Sequence, residues 1–328
     1  MTEPLAIGPA DVRSAADLIR GVAVRTPLLE YAALNDRAGT RVLVKFEGAQ
    51  IAGSFKFRGA YNRLARIVEA DRPAGVVAWS SGNHAQGVAA AARRLGMPAT
   101  IVMPADAPEV KIANTRALGA EVVLYDRATE SREQIATALA NERGAVLVPS
   151  YDDPFIIAGQ GTIGLEILDQ AEFAGADLAR VLVCCGGGGL VGGIATAIKD
   201  RAPHITIHSV EPAAFDDTAR SLASGQRESN PPGASSICDA LLAPTPGALT
   251  FPINRALLTS GLSVTDAEVR ATMRYAFDTL KLVIEPGGAV ALAALLHRDL
   301  PPLDGATAVV VSGANVDPGL YAEILTEA

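Results

Sequence analysis

The chain has 328 residues, 49% hydrophobic and 20% charged; that composition fills the core of one or two domains and excludes an intrinsically disordered chain. Its net charge of −8 comes with no basic cluster, which argues against nucleic acid and anionic membranes as partners. No apolar run reaches the roughly 20 residues of a membrane helix, and the first residues have neither the basic nor the apolar region of a secretory leader.

Strand-like apolar runs recur at 41–46, 75–79, 99–103, 121–125, 145–148, 181–185, 205–210 and 308–311. Alanine-rich stretches with helical spacing lie between several of them, at 85–95, 131–141 and 190–199. Apolar strands alternating with helices predict an α/β fold whose parallel sheet is covered on both faces. Roughly four short βα units fit between Gly75 and Val148, enough for a small open-sheet domain. A second βα series starts near Pro154, and the Gly-, Pro- and Ser-rich stretch 225–249 reads as loop. Cys184, Cys185 and Cys238 are the three cysteines; they form no disulfide framework, and a reducing cytoplasm is expected. Ligands of α/β folds bind at the carboxyl ends of strands, so the loops there matter most.

After the run 181–185 come Gly186, Gly187, Gly188 and Gly189, then a predicted helix. Without Cβ atoms, such a loop lets main-chain N–H groups converge on an anion at a helix N-terminus. That is a phosphate cradle, but its identity stays open. Gly187, Gly189 and Gly192 also satisfy G-x-G-x-x-G, with Glu211 closing the next strand about twenty residues on, as in dinucleotide sites.

Only five lysines occur. An amine can deprotonate and attack a carbonyl, whereas a guanidinium cannot. Lys56 sits between Phe55 and Phe57, which could lower its pKa by desolvation; by itself this pattern reads first as a helix-start lysine beside core aromatics. The turn Ser80-Ser81-Gly82-Asn83-His84 follows a strand and opens a helix. Its hydroxyls, amide and N–H groups suit a carboxylate, although a helix cap needs only one of them.

Together these residues resemble the fold-type II pyridoxal phosphate enzymes, in particular the serine/threonine dehydratases and serine racemase. The resemblance spans nearly the whole chain. It rests on Ser54-Phe-Lys-Phe-Arg-Gly-Ala60, Ser80-Ser-Gly-Asn-His-Ala-Gln-Gly87, Ala158-Gly-Gln-Gly-Thr162, the four glycines, Leu282-Val-Ile-Glu-Pro-Gly-Gly288 and Ser312-Gly-Ala-Asn-Val-Asp317. It implies two open, twisted, mainly parallel sheets. Residues 1–69 and 149–328 would form a large cofactor domain, and 70–148 a small mobile one. Lys56 would be the Schiff-base lysine, and Gly186 to Gly189 would hold the phosphate of pyridoxal 5'-phosphate. Asn83 would bond the phenolic oxygen, Phe55 would pack near the ring, and Ser312 would face the pyridine nitrogen.

The implied reaction is loss of water from a β-hydroxy amino acid of the threonine or serine type, giving a 2-oxo acid and ammonia. Lys56 would remove the α-proton. Ser80, Ser81, Asn83 and His84 would bind the substrate carboxylate. Ser81 matches a serine that in serine racemase reprotonates the α-carbon, and Arg132 resembles a mobile substrate-contacting arginine. Racemisation and dehydration of 3-hydroxyaspartate or of a hydroxyectoine breakdown product remain alternatives, and a nicotinamide oxidoreductase is a distant one. Glu211, the Phe215 carbonyl and Asp217 resemble a Mg²⁺ or Ca²⁺ loop with hard oxygen ligands. A homodimer follows by analogy alone. The chain departs from the family at Ile237-Cys-Asp-Ala240, where Ala240 replaces a glycine near the cofactor edge.

Overall fold

The structure, a computed structural model, describes residues 4–107 and 109–327. Among them ten strands follow one another: β1 (Leu28–Glu30), β2 (Val42–Phe46), β3 (Val76–Trp79), β4 (Ala99–Pro104), β5 (Glu121–Tyr125), β6 (Val146–Leu147), β7 (Leu178–Cys184), β8 (Thr206–Pro212), β9 (Ser260–Val264) and β10 (Ala306–Val311). They build two sheets, ordered β1-β2-β10-β7-β8-β9 and β5-β4-β3-β6. Every pairing is parallel except that of β1 with β2. The fold is therefore α/β, with two mainly parallel sheets flanked by helices. The apolar runs became central strands because both faces are covered: β10, Ala-Thr-Ala-Val-Val-Val, is buried throughout between β2 and β7.

All four strands of the smaller sheet come from residues 76–147. Its apolar core takes Phe57, Ala60 and Leu64 from the helix Lys56–Ala65, together with Ile156. The lysine-bearing helix thus packs against the smaller sheet. Residues 1–3 and 328, at the ends of the outer segments, lie outside the described residues.

Three helices carry the functional ends of the sheets. The middle one, Pro154–Phe173, starts where Asp153 Oδ1 accepts the N–H groups of Phe155 and Ile156 and where Pro154 occupies the first turn. It lies between Lys56–Ala65 and Gly189–Arg201, and glycines set both approaches. A Cβ on Gly159 would lie 2.6 Å from Gly59 Cα, and one on Gly161 would lie 2.7 Å from the Gly193 carbonyl oxygen.

A buried ion network fixes the start of the lysine-bearing helix. Arg58 donates to both oxygens of Glu47, at 2.8 and 2.9 Å, and to both oxygens of Glu166, at 2.6 and 2.9 Å. Lys45 Nζ donates to Glu166 at 2.6 Å, to Gln170 and to the Thr26 carbonyl. Two cations thus face two carboxylates, and Arg58, Lys45 and Glu47 are fully buried. Burial alone would raise Glu166; Arg58 and Lys45 reverse that and hold its carboxyl below the usual range. No helix among the described residues is long and apolar enough to cross a membrane.

Candidate active site

A cavity of about 270 Å³ opens at the carboxyl ends of β3, β7 and β10. Ser80, Ser81, Gly82, Asn83 and His84 reach it from the loop after β3, the four glycines from the loop after β7, and Ser312 from the end of β10. Phe55 and Lys56 line it from the start of the helix Lys56–Ala65. The lysine, the glycine loop and the serine turn, far apart in sequence, therefore share one space.

Lys56 Nζ donates to the Ser150 carbonyl at 2.8 Å and lies 5.2 Å from the centre of the Phe55 ring. Desolvation lowers its pKa to about 8. A lysine so placed is partly neutral near physiological pH and therefore able to attack a carbonyl. The Phe55 N–H donates to the Ser312 carbonyl at 3.0 Å, which ties the lysine segment to the end of β10.

The glycine loop has two physical reasons for its composition. A Cβ on Gly187 would lie 2.3 Å from the Tyr151 ring, and Gly188 takes φ +92° as it caps the helix Gly189–Arg201. Packing therefore explains part of the run. The second reason is that none of the described residues accepts the main-chain N–H groups of Gly186, Gly187, Gly188 or Gly189. Their carbonyls, in contrast, are engaged: Gly187 O accepts from Thr250 Oγ1 at 2.6 Å and from Gly247 N. Donors left free at a helix N-terminus, beside a cavity, fit a phosphate.

The Asn83 amide donates to Glu285 Oε1 at 2.6 Å and accepts from Asn315 at 2.8 Å. An amide nitrogen carries two hydrogens, so one remains for a ligand oxygen. Glu285 is buried at the start of the helix Pro286–His297, and burial, with Asp239 nearby, raises its pKa to about 7. Sequence reading assigned Glu285 no role. The signal was present, because it is the one acid in the apolar run 282–288. His84 Nε2 donates to the Val148 carbonyl at 2.9 Å, which leaves Nδ1 as a buried acceptor without a partner. Burial and the charge of Lys56 push its pKa down to about 3, so the ring is neutral. Ser80 Oγ accepts the Gly82 N–H at 3.2 Å and shapes the turn.

Ser312 is buried and lines the cavity with Cys184, whose thiol burial pushes up to about 12. The thiol therefore stays protonated and is no nucleophile. A hydroxyl at this position can donate to a neutral ring nitrogen, where a carboxylate would demand a protonated one.

Arg132 stands at the cavity edge, half exposed and paired with Glu133 at 3.0 Å. Glu211, Phe215 and Asp217 do not line the cavity. Glu211 accepts the N–H groups of Thr218 and Ala219 at 2.9 and 2.8 Å, at the start of the helix Asp217–Ser224. Asp217 Oδ1 accepts from Asn230 at 2.6 Å, and Oδ2 is buried without a partner. Burial and the neighbouring Asp217 raise Glu211 to about 8, and burial raises Asp217 to about 6. Among the described residues no cluster of three or more His, Cys, Asp or Glu is placed to hold a metal; this set offers two carboxylates and one main-chain carbonyl.

A family model described as pyridoxal-phosphate dependent enzyme matches residues 19–313. The chain is 46% identical to an L-threo-3-hydroxyaspartate ammonia-lyase of Pseudomonas sp, over 96% of this chain and 97% of the relative. A crystal structure of a T.th. threonine deaminase superposes with a TM-score of 0.89 at 42% identity, covering 95% of this chain and 99% of that one. The structure of maize serine racemase superposes at 0.92 and 35%, covering 97% and 96%.

Proposed function

Because the chain belongs to the family of pyridoxal-phosphate dependent enzymes, we propose that it removes water from a β-hydroxy amino acid and yields a 2-oxo acid and ammonia. The observation that carries this reading is the Lys56 amine, desolvated to a pKa of about 8 and lining one cavity with the free N–H groups of the glycine loop. The similar proteins support it by name, as ammonia-lyase, deaminase and racemase.

Pyridoxal phosphate, when bound, supplies an electron sink for the substrate's α-carbon. The residues divide the remaining work. Gly186, Gly187, Gly188 and Gly189 would hold the phosphate by main-chain N–H groups, and Phe55 would pack near the ring. Asn83 would donate its spare hydrogen to the phenolic oxygen, and Ser312 would donate to the ring nitrogen. The turn of Ser80, Ser81, Asn83 and His84 holds the substrate's α-carboxylate, with Arg132 at the rim. Lys56 Nζ takes the α-proton, as a base whose pKa lies near the working pH. Ser81, whose hydroxyl can return a proton to the α-carbon, supports racemisation as a second reading.

The division at 1–69, 70–148 and 149–328, with the four-stranded unit closing over the cavity to exclude water, belongs to the same proposal. A homodimer rests on family likeness. A reducing, cytoplasmic setting is supported by three buried free cysteines. Glu211, the Phe215 carbonyl and Asp217 are proposed to hold Mg²⁺ or Ca²⁺, and the unpartnered Asp217 Oδ2 beside a second buried carboxylate supports this. The cation would neutralise both acids and clamp β8 to the helix that follows. Adding Mg²⁺ to chelator-treated holoenzyme at saturation is expected to raise Tm by about 5 °C, and Asp217→Asn is expected to remove the rise. An unchanged Tm in the parent would end the metal assignment.

The test of the main reading is product analysis. Purified holoenzyme is incubated in D₂O with L-serine, L-threonine and L-threo-3-hydroxyaspartate separately and followed by proton NMR. A 2-oxo acid with equimolar ammonia from at least one is expected. Deuterated D-enantiomer without oxo acid would replace elimination by racemisation.

A further inference from the structure

The cavity mouth carries a charge pair that the reaction above leaves unused. Lys111, in the helix Glu109–Ala117 beside the smaller sheet, donates to the carboxylate of Asp239, in the turn Asp239–Leu241 beside the larger one. Both residues line the cavity. The partners are unequal: the Lys111 side chain is 13% exposed and that of Asp239 is 48%. A nearly buried ammonium has lost most of its water and depends on a carboxylate partner. A half-exposed aspartate gives up little when it turns to solvent. The cation is therefore fixed and its anion is exchangeable. The other two cations at the mouth, Arg127 and Arg132, are about half exposed and paired with Asp106 and Glu133.

Serine or threonine offers Lys111 a hydrogen or a methyl group, and neither can replace Asp239. A carboxylate on the substrate's β-carbon can. One carboxylate leaves the ammonium as another arrives, so no buried charge is left unpaired. Resting on the amino-acid reading of this site, we propose that Lys111 receives a second substrate carboxylate in exchange for Asp239, so that the enzyme selects four-carbon dicarboxylic amino acids. The selectivity lies in the exchange: a substrate without the second carboxylate leaves the Lys111–Asp239 pair closed across the mouth. This mode of discrimination, in which a buried polar group must find its match, is far stronger than discrimination by size.

The test separates this assignment from the reaction itself. L-Aspartate and L-alanine have no β-leaving group, so their binding to pyridoxal phosphate-loaded enzyme can be followed by calorimetry. The parent is expected to prefer aspartate by roughly 30- to 100-fold, the span of one charge-assisted hydrogen bond. Lys111→Met is expected to abolish that preference, Lys111→Arg to restore part of it, and Asp239→Asn to strengthen it by removing the competitor. In turnover, the kcat/KM ratio of L-threo-3-hydroxyaspartate to L-serine is expected to fall by a similar factor in Lys111→Met. If the pair is only a latch, both substrates decline together and the ratio holds; that result overturns the proposal, as does an aspartate preference that survives Lys111→Met. Should Lys111→Met fail to fold, an Asp239→Asn variant with undiminished alanine binding and weakened aspartate binding also overturns it. An aspartate preference that follows Lys111, with no 2-oxo acid from any hydroxy amino acid, upholds the carboxylate site and sinks the elimination reading. D-Aspartate accumulating from L-aspartate upholds it as the site of a racemised substrate.

Discussion

Lys56→Ala is expected to lower 2-oxo acid formation by roughly 10⁴-fold or more, the upper end of what one positioned proton-transfer group contributes. The size follows from its two uses. In the proposed reaction the same amine would anchor the cofactor and then serve as the base, and alanine could do neither. Lys56→Arg is expected to fail as completely, because a guanidinium neither deprotonates nor attacks a carbonyl. Folding is expected to survive. The side chain makes one hydrogen bond, to the Ser150 carbonyl, and removing a desolvated amine leaves no buried charge behind. Steady-state assay, visible absorbance after dialysis and far-ultraviolet circular dichroism decide it. A variant that keeps its yellow colour through dialysis, with activity within about a hundredfold of the parent, would remove Lys56 from the chemistry.

The second large effect is on stability. Arg58→Met breaks the buried network two residues from the reactive lysine. It leaves Glu47 and Glu166 with Lys45 as their only cation in the network. Uncompensated buried charge of this kind costs about 3–5 kcal/mol, which for a chain this size lowers the thermal midpoint by roughly 5–15 °C. Replacing Arg58, Lys45, Glu47 and Glu166 together by apolar residues of similar volume is expected to recover much of that loss, since desolvation offsets most of what a buried pair contributes. Thermal unfolding of the three holoenzymes measures both. A midpoint within about 2 °C of the parent for Arg58→Met, a loss of under about 1 kcal/mol, would show that the network adds nothing.

What the sequence revealed was set by how local each signal is. β3, β4 and β10 were readable because a doubly covered parallel strand must be apolar along its length. β9, Ser-Gly-Leu-Ser-Val, escaped notice because an edge strand is covered less and carries no such run. β1, three residues long, is too short for any period to show. β7 begins at Leu178 rather than 181, because Arg180 interrupts the apolar pattern yet is buried, donating to the Pro301 carbonyl. Among the site residues, Lys56, the glycines and the serine turn declared themselves as compact motifs. Glu285 did not, since its role comes from contact with Asn83, 202 positions away in the chain. Nor did Lys111 with Asp239, which meet across 128 positions of the chain.

The glycine contacts along the helix Pro154–Phe173 have one further consequence. One flank of this helix touches the backbone that bears Lys56, and the other touches the helix that begins at the glycine loop. The span between Lys56 and the glycine loop is thereby gauged by main chain against main chain, with no rotamer in between. Side-chain drift elsewhere cannot stretch or shorten it. The wall at the cavity mouth, by contrast, is built of long charged side chains from loops and helix ends. Such a molecule can change which small molecule it admits while the distance its cofactor must bridge stays constant.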